Sequence, residues 1–114
     1  MLGKHSASNI LTFEYKAGGT GKTANKTSVS TTDFFCFGLS WDKTADAVKG
    51  HYNGSQIGST LTGLGTWAGS LLSTYCCLGS YNTTPSLTWS GYIAHGAIWT
   101  KALTDAQFAT LATV

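Results

Sequence analysis

The acid–base chemistry open to this 114-residue chain rests on one glutamate, four aspartates and three histidines: Glu14, Asp33, Asp42, Asp46, Asp105, His5, His51 and His95. Retaining glycoside hydrolysis needs two carboxyl groups about 5–5.5 Å apart, which alternate positions of one strand would supply. Glu14 has no acidic residue two positions away. The four Asp fall at strand ends, turns and a helix start, where Asp serves the backbone. The three His are more than forty residues apart, with no His or Cys at zinc-ligand spacing. No catalytic residue and no cofactor are expected, and the chain does not read as an enzyme.

Other chemistry-bearing residues give weaker signals. Residues 19–23 (GTGKT) resemble part of a phosphate loop, but Lys16 stands where the first glycine belongs and no helix follows. A flexible Gly/Lys loop is the expectation there. Adjacent Cys76 and Cys77 cannot close a normal disulfide, so they and Cys36 are expected to be reduced core residues. Three Asn-x-Ser/Thr triplets, at Asn25, Asn53 and Asn82, carry little information in so Ser/Thr-rich a chain. The remaining binding candidates are Trp67, Tyr81, Asn82 and Trp89, on two loops. Aromatic rings can stack on pyranose faces while Asn holds hydroxyls. The competing role is packing, with Trp89 sealing an edge of the core.

The elements that would position these residues are strands. Residues 9–16 (NILTFEYK) alternate, with Leu11, Phe13 and Tyr15 on one face. Residues 17–32 read as a polar connection with a short edge strand near 27–30. Residues 33–42 (DFFCFGLSWD) put Phe35, Phe37, Leu39 and Trp41 on one face. After a turn at 43–46, residues 47–52 return, and Asn53-Gly54 gives a type I′ hairpin signal into a strand over 55–59. Further buried strands are expected over 71–79 (LLSTYCCLG) and 91–99 (GYIAHGAIW), separated by loops at 61–70 and 81–89. The period then changes: Thr104 and Gln107 make a capping box, Leu103 and Phe108 stand at staple positions, and one short helix closes onto the sheet.

Composition agrees with this antiparallel β-sandwich. Apolar residues are 42% of the chain and charged residues 11%, which excludes a disordered chain. A single domain spanning 1–114 is expected. The net charge of +2 comes from scattered Lys with no Arg, so nucleic acid is excluded as a partner. No apolar run is long enough to insert into a membrane, and residues 1–10 carry no secretory signal pattern.

Two segments carry a resemblance. TDFFCFGLSWDKTADAVKGHYNGSQIGST resembles the central hairpins of laminin G-like domains of the concanavalin A-like lectin/glucanase superfamily, and LGSYNTTPSLTWSGYIAHGAIWTKALTDAQFATLA resembles their closing motif. The resemblance implies an all-β, antiparallel jelly-roll β-sandwich with one short C-terminal helix, N-terminally short relative to the family. By analogy with calcium sites in such domains, Asp42 and Asp46 form a weak calcium candidate. Missing front strands would leave a sheet edge open to another chain. The expected function is therefore a non-catalytic structural or adhesive surface module in a protein assembly or homo-oligomer. A phage virion surface fits best, as a capsid decoration protein or tail-associated adhesin made in the host cytoplasm. The alternative is an extracellular carbohydrate-binding, lectin-like module.

Overall fold

The computed structural model describes residues 2–5, 9–30, 32–67, 77–80 and 88–113. Among these, six strands form two three-stranded antiparallel sheets, followed by one helix. The first sheet has the order β1 (Leu2–His5), β2 (Ile10–Ala17), β3 (Thr20–Lys26). The second has the order β4 (Phe37–Asp42), β5 (Ala47–Tyr52), β6 (Ser55–Leu61). Each sheet is a meander, and α1 (Asp105–Leu111) lies beyond the second.

Strand alternation builds the core. Leu11, Phe13, Tyr15 and Ala17 point inward from β2 and are buried. They meet Val48 of β5, Val29 and Leu64, with Leu39, Phe37 and Ile57 of the second sheet packed around them. The sheets pack tightly at Gly50, where a methyl group would lie 3.0 Å from the Phe13 ring. Phe13 also meets Phe37 edge to face, with ring centroids 6.3 Å apart.

Two hairpins close as the turn chemistry requires. Asn53 and Gly54 have φ of 45° and 79°, the left-handed pair of a type I′ turn, and Tyr52 pairs with Ser55 across it. The Asn53 side chain also accepts from the Cys36 N–H at 3.0 Å. Gly18 and Gly19 have φ of 52° and 78° and join β2 to β3 in the same way.

Five sequence expectations need correction. Residues 20–26 form β3 rather than a flexible loop, and 27–30 form no strand, although Val29 is buried and donates its N–H to Asn9. Thr20, Lys22, Ala24 and Lys26 are the half-buried positions of β3, so two lysines occupy its inward register. Lys26 Nζ sits 5.7 Å from the Tyr52 ring centroid, over an aromatic face. Inward lysines also suit an edge strand that must not recruit another chain.

The strand expected over 33–42 starts only at Phe37, and Phe34 is exposed. Residues 91–99 form no strand, and every one of them is exposed. Gly91 has φ of 149°, and no ladder reaches this segment among the described residues. Finally, Cys77 is an exposed free thiol rather than a core residue. Cys36 is free and half-buried, and burial pushes its thiol pKa up. The strand expected at 71–79 lies outside the described residues apart from Cys77–Gly79, which form no ladder.

Candidate functional site

Acid–base groups converge at one place. Lys49 and His51 alternate along β5 and therefore share its outer face, under α1. The helix begins with the expected capping box: Gln107 N–H donates to Thr104 Oγ1 at 3.3 Å, and Thr104 N–H donates to Gln107 Oε1 at 2.9 Å. That cap sets Asp105 at the first helical position. Its Oδ1 lies 3.0 Å from His51 Nε2 and 3.0 Å from Lys49 Nζ. The Phe108 ring stacks on His51 with centroids 3.9 Å apart and planes within 9°.

A hydrogen-bonded imidazole–carboxylate pair can move protons, but His51 is 1% exposed and capped by Phe108, so no substrate reaches its ring. Among the described residues its Nδ1 has no hydrogen-bond partner. The arrangement anchors α1 to the sheet. Its signal in the sequence is the Lys49-x-His51 alternation facing the first turn of the capped helix.

The aspartates of the second sheet serve the backbone. Asp42 Oδ1 accepts from the N–H groups of Thr44 and Ala45 at 2.8 and 3.0 Å. Asp46 accepts from Gly63 and Leu64 at 2.8 Å each, and Lys43 donates to the Leu64 carbonyl at 2.7 Å. These bonds hold residues 62–64, place Leu64 in the core and deliver Trp67 to Tyr15. Among the described residues no group of three His, Cys, Asp or Glu could hold a metal.

The amides of Leu64 and Gly63 hold the Asp46 carboxyl below the usual range, and His51 and then Lys49 do the same for Asp105. The folded chain thus binds these protons more weakly than the unfolded chain does. Their stabilisation is complete above the ordinary carboxylate pKa of about 4 and is lost as pH falls through the lower folded values. Thermal melts are expected to drop steeply on acidification below about pH 4. Asp46→Asn should flatten that acid limb and lower the melting temperature at pH 7; identical limbs for the two proteins would refute the assignment.

The aromatic candidates separate. Trp67 is 45% exposed and lies 6.3 Å from Tyr15, whose ring is also 6.5 Å from Trp41. Trp89 stacks on Phe37 at 5.8 Å and 11°, beside Phe35, in the sealing role. Phe37 and Trp41 lie at opposite ends of β4, roughly 13 Å apart by strand rise, so Trp67 and Trp89 are not brought together. Tyr81 and Asn82 lie outside the described residues. Trp41, which the sequence places on one strand face with Phe35, Phe37 and Leu39, is 44% exposed and borders an open hollow with Asp42, Lys43, Thr100, Lys101 and Ala102. It joins Trp67 in a half-exposed aromatic platform around the buried Tyr15.

A second apolar surface lies along 91–99. Tyr92 is 89% exposed and Ile98 83%, with Ile93 and Trp99 also emergent. Leu78, 74% exposed, abuts this segment at Gly96, and Gly79 abuts it at Ile93. Compared with protein-family models, curated proteins and solved structures, the chain finds no match.

Proposed function

We propose that this chain is a non-catalytic surface module, structural or adhesive, that works by contact within a larger assembly. The observation that carries this reading is the apolar face of Leu78, Tyr92, Ile93, Ile98 and Trp99. Side chains of this size and exposure present on the order of 600 Å², at the top of the range for one patch on a monomer. The laminin G-like, jelly-roll relationship is part of the proposal and rests on motif order. The setting we favour is a phage virion surface, as a capsid decoration protein or tail-associated adhesin. Immunogold labelling of particles released by lysis of the producing cell is expected to place the chain on the particles. Label confined to the particle-free supernatant would overturn that setting.

The Trp41–Tyr15–Trp67 platform favours a second reading, a carbohydrate-binding module of an extracellular protein. Half-exposed indoles offer flat apolar faces, and the neighbouring Asp42 and Lys101 offer an acceptor and a donor for hydroxyls. On a glycan array this reading expects binding that falls at least about tenfold, or roughly 1.4 kcal/mol, in Trp41→Ala and Trp67→Ala. Silence of the wild type across the array would remove it.

A further inference from the structure

We infer that the hollow beside Trp41 takes an acidic sugar, a pyranose that carries a carboxylate, and that Lys101 is the residue that selects for its charge. The inference rests on the carbohydrate-binding reading and names the ligand class of that same platform. Trp41, Asp42 and Lys43 line the hollow from the end of β4 and the turn after it, and Thr100, Lys101 and Ala102 line it from the approach to α1. Its volume of about 450 Å³ lies within the range of roughly 300–1,000 Å³ for small-ligand sites.

The polar groups around it differ in how far the fold already uses them. Asp42 Oδ1 accepts both turn amides, from Thr44 and Ala45, so Oδ2 is the oxygen left over. Lys43 Nζ uses one of its three hydrogens on the Leu64 carbonyl. Lys101 makes no hydrogen bond or ion pair among the described residues, and Asp42 makes no ion pair with either lysine. Beyond the turn, both oxygens of Asp46 already accept from Gly63 and Leu64. The hollow thus holds two ammonium groups against one carboxylate, and its local charge is positive.

These groups define their occupant. It presents an apolar face to the half-exposed Trp41 ring, a hydroxyl to Asp42 Oδ2 and an anionic oxygen to Lys101. A hexuronic acid carries all three on one ring: a face of C–H groups, hydroxyls, and a carboxylate on C5. A neutral hexose would leave the Lys101 ammonium unpaired, and an inorganic anion would leave Trp41 uncovered. Hydrogen bonds between charged groups are roughly twice as strong as neutral ones, so the carboxylate is the feature that discriminates.

Isothermal titration calorimetry of the full chain tests this with tetramers of galacturonic, glucuronic and mannuronic acid, each against the same tetramer with its carboxyl groups methyl-esterified. At least one acid tetramer is expected to bind about tenfold more tightly than its ester, the scale of one charge-assisted hydrogen bond. That preference should shrink as NaCl is raised. Lys101→Gln should abolish the preference and leave ester binding unchanged. Lys16→Gln removes the same charge from the opposite face of β2 to Tyr15 and should preserve it. Because Lys101 holds nothing in the fold among the described residues, circular dichroism of Lys101→Gln should match wild type. Equal binding of acid and ester, a preference that survives Lys101→Gln, silence toward all three acid tetramers, or equally tight binding of inorganic phosphate or adenosine monophosphate would overturn the inference. Ester binding that is lost in Trp41→Ala, with no preference for the acid, would leave the carbohydrate-binding reading standing and this one refuted.

Discussion

Phe13→Ala is expected to lower the unfolding free energy by about 4 kcal/mol, within the range for truncating a buried phenylalanine. Phe13 is fully buried at the centre of the seam between the two sheets. It contacts the second sheet through Phe37 and lies over the bare backbone of Gly50. A domain of this length has a total stability of roughly 6–17 kcal/mol, so the loss removes a large share of it. The cavity should not refill, because Gly50 has no side chain to advance and Leu11 and Val29 are already fully enclosed. The converse substitution, Gly50→Ala, would push a methyl to 3.0 Å from the same ring and is expected to cost about 1–3 kcal/mol as overpacking. Urea titrations of both variants give the numbers. A Phe13→Ala midpoint indistinguishable from wild type would mean that the seam does not hold the sheets together.

That seam was half legible in the sequence. Alternation along 9–16 placed Leu11, Phe13 and Tyr15 on one face, and Asn53-Gly54 announced the β5–β6 hairpin, because both signals are local. The helix start was legible for the same reason: Thr104 and Gln107 satisfy each other within one turn. β3 was not legible, since lysines at the half-buried positions 22 and 26 read as solvent residues in a pattern of apolar alternation. The segment 91–99 failed in the opposite sense. Its apolar residues demand burial, but a pattern does not say whether the cover comes from the same chain. In the candidate sites, Trp67 was legible as a loop aromatic, while Trp41 was not singled out because it shares a strand face with Phe35, Phe37 and Leu39. Only its place at the end of that strand brings its ring half into solvent. The His51–Asp105 anchor joins residues 54 positions apart, which no local period reports.

The docking of α1 is expected to show a reversal of sign in a double-mutant cycle. Phe108 is 5% exposed and lies over Gly38, whose cross-strand partner is His51. A Cβ on Gly38 would fall well inside the van der Waals radius of the Phe108 ring. Gly38→Val should therefore destabilise the wild-type protein by about 1–3 kcal/mol, by lifting the ring off the sheet. Phe108→Ala alone should cost about 3 kcal/mol, toward the low end for a buried aromatic, because a short helix can detach without unfolding both sheets. In the Phe108→Ala background the obstacle is gone. There Gly38→Val should be neutral or stabilise by about 0.5–1 kcal/mol, since glycine is the poorer strand residue. Chemical modification of histidine gives a second, local readout. His95 is exposed and should react in every variant, whereas His51, 1% exposed beneath the ring, should react only once α1 is released. Equal costs for Gly38→Val in both backgrounds, with His51 protected throughout, would show that Phe108 does not dock α1 on Gly38 and His51.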